Sequence, residues 1–334
     1  MNNIKKLISK PLFLPIFCML LVMAVNIIYD VASGNFAFNF FTISIRNGVL
    51  YGRMIDILNR GSEIAILAIG MTLVVSCSAG TDISVGSVMS LAASFCCMLL
   101  AGYGVSSTNE LARPLIIGVL GGILIGCVCG AFNGFLVSYL NVQPMVATLI
   151  LFTAGRSIAA WINNNQLPVI NDESFGWFGN FIPGLPLPTP IFIAAICIII
   201  IALVLRFTKL GLFTQAVGIN SESSRLNGLN PARIKFMTYV ILGLCVAVAG
   251  FIKVSRISSI NYSVVAKDIE MDAILAVALG GNALSGGKFN MASSILGAYV
   301  IQFLTTTLYK FQVAPTALPA YKAVVVIILV VLSA

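Results

Sequence analysis

Six polar residues stand in or at the edge of long apolar runs and demand a chemical explanation: Asp82, Asn133, Gln143, Thr148, Arg156 and Asp272. A charge at the centre of a membrane costs about 2.5–3.5 kcal/mol on insertion scales, so each charged one must be held for a reason. Asp82 lies in the turn-like break Ala79-Gly80-Thr81-Asp82-Ile83-Ser84-Val85-Gly86. Its carboxylate either accepts amide hydrogens at the start of the next helix or contacts a solute. Asp272 opens a later run and carries the same two readings. Arg156, one residue after Gly155, either snorkels outward or lines a polar path. Gln143-Pro144 and Thr148 open that same run, and Asn133 lies near the end of the one before. Amides and hydroxyls donate and accept without a fixed charge, which suits a neutral polyol better than an ion.

Other chemistries are excluded by residue type. The chain has no histidine, which removes the usual general base, metal ligand and pH switch. Its serines therefore lack a histidine to activate them and have no obvious lysine partner, and intramembrane proteolysis is not expected. Gly281 to Lys288 (GNALSGGK) resembles a phosphate loop only briefly. Gly287 occupies the lysine position, Phe289 follows Lys288, and an apolar helix precedes the segment where a strand is needed. The chain carries no nucleotide motif of its own, so any ATP drive comes from another subunit. Its eight cysteines lie in or beside apolar runs without a C-x-x-C pair, and read as small core residues. No catalytic residue, metal site or cofactor is expected in this chain.

The elements that position these residues follow from composition. Of 334 residues, 59% are hydrophobic and 9% charged, against about 25% charged in soluble domains. That excludes a soluble enzyme. The net charge of +8 reads as helix-end anchors and positive loops, with no nucleic-acid partner. Ile191 to Leu205 is apolar throughout, as is Ala323 to Leu332. A barrel strand would alternate, so the fold class is an all-α polytopic membrane protein surrounded by lipid. Hydropathy and breakers predict ten spans, at about 11–30, 61–77, 85–101, 114–139, 145–162, 190–206, 236–256, 271–284, 291–309 and 319–333. Residues 48–60 read as an interfacial segment ahead of the second span. Lys5, Lys6 and Lys10 mark a retained first helix with a cytoplasmic N-terminus, and an even count returns the C-terminus to that side.

Two further patterns stand out. Arg206 to Lys235 holds Arg206, Lys209, Arg225, Arg233 and Lys235 against one acid, Glu222, and reads as a cytoplasmic loop. Arg46, Arg53 and Arg60 then fall outside. Gly118, Gly122, Gly126, Gly130 and Gly134 recur every fourth residue, a stripe that lets helix backbones approach closely in lipid. The stripe drifts about 40° per step. A partner must cross at an angle, or two partners must share it, and the reading is a tightly buried central helix.

These motifs also occur in a recognisable order. Gly70-Met71-Thr72-Leu73-Val74 leading to Gly80-Thr81-Asp82-Ile83-Ser84-Val85-Gly86 resembles the signature of bacterial ABC sugar permeases of the ribose/xylose/galactose type. Gln143-Pro144-Met145-Val146-Ala147-Thr148-Leu149, the stretch from Gly211 through Gly218-Ile219-Asn220 to Gly228-Leu229-Asn230, and Met271-Asp272-Ala273-Ile274 to Gly286-Gly287 are similar to three more of its motifs. Ile55 to Arg60 and Trp177-Phe178-Gly179 most resemble the galactofuranose-type permeases. Ala79, Thr81 and Phe289 depart from the pattern.

The resemblance implies a type II ABC importer permease in the bacterial cytoplasmic membrane, a single domain over 1–334 with about ten helices. Its partners would be a cytoplasmic ABC ATPase holding ATP-Mg, a periplasmic sugar-binding protein, and a second permease, identical or homologous. A coupling loop at about 207–235 would carry Gly211, Ala216, Gly218, Asn220, Arg225 and Gly228. A short helix near Ser221 to Leu226 would act as a lever on the sixth and seventh spans. Asp82, Asn133, Gln143, Thr148, Arg156 and Asp272 are the expected path residues. Two alternatives stay open: a stand-alone secondary transporter, suggested by the broken Gly80–Gly86 and Gly280–Gly287 segments, and an ABC permease for branched-chain amino acids.

Overall fold

Proline and asparagine set the helix starts. Pro144 and Pro231 sit in the first turns of their helices, where a missing amide hydrogen costs nothing. Asn220, Asn230 and Asn290 each accept the amide of the residue three further on, at 2.8, 3.0 and 3.1 Å. The computed structural model describes residues 12–34, 38, 40–46 and 48–333. The lysine-rich start at Lys5, Lys6 and Lys10 lies outside the described residues.

The helices are α1 (Phe13–Ala32), α2 (Arg53–Ser78), α3 (Val85–Ala101), α4 (Leu115–Ser138), α5 (Pro144–Ile162), the short α6 (Glu173–Trp177), α7 (Thr189–Phe207), α8 (Leu210–Ile219), α9 (Ser221–Leu226), α10 (Pro231–Ile257), α11 (Ile269–Leu279), α12 (Met291–Lys310) and α13 (Leu318–Ser333). Strands β1 (Ser44–Arg46) and β2 (Val49–Tyr51) pair antiparallel, and β3 (Ser107–Thr108) pairs parallel with β4 (Val169–Ile170). Among the described residues, seven helices are long and apolar enough to cross a membrane: α1, α2, α4, α5, α7, α10 and α12. The shorter α3, α11 and α13 fall where the other three spans are expected. The basic α8–α9 end is taken as the inner face, and β1–β4 with α6 lie at the outer one.

Three sequence expectations need correction. Residues 53–60, read as interfacial, are the first turns of α2, whose N-terminus carries Asp56 to complement the dipole. The eighth span ends at Leu279 rather than 284, because Gly280-Gly281 stops it and Gly281 takes a φ of 71°. The central helix is α2, with 94% of its apolar window buried, whereas α4 has 28%. A stripe of small residues buries one face only; Leu120, Leu124 and Val128 on α4 face outward.

That buried face of α4 is shared by two partners, the second of the two arrangements its drift allows. Gly118 lies against the Leu100 side chain and Gly122 against the Ala92 carbonyl, both on α3. Further along, Gly126, Gly130 and Gly134 lie against the backbone of Gly243, Tyr239 and Phe236 on α10. At the periphery, polar rivets fasten α1 to α12: Asn26 Nδ2 donates to Thr307 Oγ1 at 2.7 Å, and Lys310 pairs with Asp30 at 2.7 Å.

Candidate functional site

Between α2, the outer end of α10, α11, α12 and α13 the bundle leaves a cavity of about 740 Å³. Its walls carry Glu63, Lys253, Asp272, Gln302, Thr305 and Lys322 among apolar side chains. Exposed Arg60, Lys267 and Asp268 line its outer margin. Both carboxylates of the wall, Glu63 and Asp272, have a cation. Glu63, 2% exposed, accepts from Arg256 and from Lys253 Nζ at 3.2 Å. Arg256 is held in turn by Asn59 Oδ1 at 2.9 Å and the Gly179 carbonyl at 3.2 Å. Lys322 Nζ reaches both Asp272 oxygens, at 2.8 and 2.9 Å. Pairing of this kind is what lets charges persist where lipid surrounds the fold.

Toward the inner face the same helices close. Ala65 and Ala68 of α2 pack with Ala276, Leu279, Ala298 and Ile301, and a Cβ at Gly297 would strike the Ala276 carbonyl. Beneath this apolar plug runs a polar chain. Thr72 Oγ1 donates to Ser294 Oγ at 2.7 Å, Asn282 Nδ2 donates to the same oxygen at 2.7 Å, and the Asn290 amide donates to Asn282 Oδ1 at 2.6 Å. The cavity thus has exposed residues at one margin and packed apolar side chains at its other end.

Of the six expected path residues, Asp272 lines this chamber. Asp82, Asn133 and Thr148 come together elsewhere, at the break between α2 and α3. Asp82 Oδ1 accepts from the Ser84 amide at 2.8 Å and its hydroxyl at 2.6 Å. Asn133 Nδ2 donates to Asp82 Oδ2 at 3.2 Å and to Ser84 Oγ at 2.9 Å, while the Ile83 amide donates to Thr148 Oγ1 at 3.3 Å. The void beside Asp82 and Asn133 measures about 10 Å³, room for one water and for no sugar. Between its two readings, Asp82 takes the amide-accepting one. Replacing Asn133 with alanine removes the donor to a buried carboxylate oxygen and is expected to cost about 1–3 kcal/mol, read as a lower melting temperature in detergent.

Arg156 follows neither reading proposed for it. Its Nη1 donates to the carbonyls of Tyr262 and Val265 at 2.8 and 2.9 Å, stapling α5 to the α10–α11 connection. Gln143 is exposed at the N-cap of α5, where its carbonyl accepts the Ala147 amide at 2.9 Å. Glu63, Lys253, Arg256, Gln302, Thr305 and Lys322 were missed. The signal was present: Glu63 and Lys322 interrupt apolar helices, and Lys253 and Arg256 stand three apart near the end of one.

The basic inner segment is helical for most of its length. Gly211 lies against the Leu205 side chain. The Ala216 carbonyl accepts the Asn220 amide at 3.1 Å, and Asn220 caps α9. Within α9, Arg225 pairs with Glu222 at 3.2 Å in full view of solvent. Leu226 at its end is 82% exposed. Gly228, with φ 81°, makes the turn that follows.

A bundle of long apolar helices that leaves a cavity of about 740 Å³ between them is an arrangement that fits a permease. The chain belongs to the family described as branched-chain amino acid transport system / permease component, whose profile matches residues 53–334. It is 40% identical to the galactofuranose transporter permease protein YtfT of Escherichia coli (strain K12) over 296 residues, 88% of this chain and 83% of that one. Identity to the fructose import permease protein FruF of Bifidobacterium longum (strain NCC 2705) is 37% over 340 residues, 100% and 90% of the two chains. The ribose import permease protein RbsC of Escherichia coli (strain K12) is 34% identical over 300 residues, 88% and 87% of the two chains. No solved structure matches the chain.

Proposed function

We propose that this protein is the membrane permease subunit of an ATP-driven importer for a sugar, with galactofuranose the first candidate. The observation that carries the reading is the chamber wall. Carboxylates at Glu63 and Asp272, ammonium groups at Lys253 and Lys322, the Gln302 amide and the Thr305 hydroxyl offer acceptors and donors together. A sugar presents paired hydroxyls that both donate and accept, and bonds to charged partners are the stronger ones. The names of the relatives, which include galactofuranose, fructose and ribose permeases, support the same choice.

In this reading 207–235 is the coupling region of a single permease domain. The exposed α9, with Leu226 at its tip, docks in a cleft on a separate ATPase. ATP-driven closure tilts α9 and rocks the attached α7 and α10, and the chamber opens alternately to the two sides. A second permease completes the path, and a periplasmic binding protein supplies specificity. The path itself binds weakly, so that release is fast.

The test is uptake into proteoliposomes. With ATPase, second permease and binding protein present, labelled galactofuranose, ribose or fructose should enter only when ATP is supplied, and the lone chain should carry nothing. Uptake of leucine in place of sugar, or solute flux through the chain by itself, would replace this reading with the amino-acid or secondary-transporter alternative.

A further inference from the structure

Three segments meet backbone to backbone at the inner face. The last turn of α2 presents the Ser76 carbonyl, which accepts the Gly287 amide at 2.9 Å, while Ser76 Oγ donates to the Gly287 carbonyl. Gly218, in the last turn of α8, is pressed into this pair. A Cβ there would overlap the Ser76 carbonyl oxygen and reach the Gly287 nitrogen at 2.8 Å. Gly286 and Gly287 hold φ of 87° and 101°, values that glycine adopts without strain, and a Cβ at Gly286 would lie 3.1–3.2 Å from Ala79 and the Ser76 carbonyl. Around the contact Cys77, Val217 and Ile234 form a small buried core.

The position of this contact gives it meaning. Only Asn220 separates α8 from α9, the exposed helix of the basic face. Ser76 stands just before the Ala79–Ser84 break, and Gly287 lies in the loop between α11 and α12. That loop also carries Asn282 and Asn290, which belong to the polar chain beneath the chamber's apolar plug. From α9 a backbone contact at Gly218 thus leads to both helix breaks, and the Asn282, Ser294 and Thr72 side chains continue it to the inner seal.

We propose that Gly218, Ser76 and Gly287 form the joint that passes motion from α9 to the inner closure of the chamber. This rests on the importer reading above and names the residues through which its drive acts. Packed backbones transmit displacement because they cannot yield by changing rotamer. Gly218 is thus a positioning residue: it touches neither nucleotide nor solute, and it serves by its lack of a side chain.

The assay compares sugar transported with ATP hydrolysed in the reconstituted full complex. Gly218→Ala should leave ATPase retention and hydrolysis unchanged while transport per ATP falls about tenfold. Ser76→Ala deletes the hydroxyl bond but keeps the backbone one, and should lower the same ratio about threefold. Leu226→Ala serves as the docking control and should instead shed the ATPase. A Gly218→Ala complex that sheds the ATPase, or transports with normal coupling, overturns the joint. If that variant fails to accumulate, an unaltered ratio in Ser76→Ala overturns it alone. Absence of ATP-driven sugar uptake by the wild-type complex would sink the importer reading instead, whereas normal uptake with normal ratios in both variants sinks the joint and leaves that reading intact.

Discussion

Glu63→Ala is expected to be among the most damaging single substitutions outside the helix crossings. Glu63 is 2% exposed and answers two cations, Lys253 and Arg256. Removing it leaves both without their carboxylate. Breaking a buried pair in this way costs about 3–5 kcal/mol, mostly for the stranded charge rather than the lost attraction. Arg256 keeps the Asn59 and Gly179 oxygens and is 11% exposed, so it has little water to turn to. Lys253 is about a third exposed, at 32%, and can. Lys253→Ala should therefore cost about 1 kcal/mol or less, and Glu63→Gln, which keeps an acceptor oxygen, should fall between the two. Thermal unfolding of the purified chain in detergent gives this order. Equal loss from Glu63→Ala and Lys253→Ala would mean that chamber water already screens the cluster.

The second large effect belongs to the crossing of α4 and α10. A Cβ on Gly243 would strike the Gly126 carbonyl, and one on Gly130 would strike that of Tyr239. Neither obstacle can rotate away, because both are main chain. Overpacking of this kind costs about 1–3 kcal/mol for small additions; Gly243→Val should exceed that range and deplete the protein from the membrane. Gly121 makes the contrast. Its added carbon meets Leu99 Cδ1 and the Phe95 ring, which are side chains that can move. Gly121→Ala should change the melting temperature little. Comparable losses at Gly121 and Gly243 would refute the distinction between yielding and unyielding neighbours.

Which features could be read from residue order, and which could not, follows from the range of the forces involved. Helices were legible because apolar length and start signals are local: α9 occupies Ser221–Leu226, where a short helix was expected between Gly218 and Gly228. The glycine stripe of α4 announced a close approach, and its drift left either one angled partner or two. It could not say that the rest of α4 faces outward, since burial depends on what the other helices leave uncovered. The break at Asp82 was visible, yet its partners Asn133 and Thr148 lie 51 and 65 residues away. The chamber was the hardest to see. Glu63 meets Arg256 across 193 positions and Asp272 meets Lys322 across 50, and only the fold brings them to one wall. Asking of every span which charges it hides, rather than of its ends alone, would have flagged Glu63 and Lys322.

The pairing of carboxylates within that wall bears on the return stroke. For the outer mouth to shut after a solute has left, the vestibule must be squeezed dry. An isolated ion would resist, because stripping its hydration is far costlier than stripping that of a neutralised couple. With Glu63 tied to Lys253 and Arg256, and Asp272 tied to Lys322, dehydration strands neither carboxylate of the wall. The vestibule of the empty protein can then narrow with both carboxylates already matched in place.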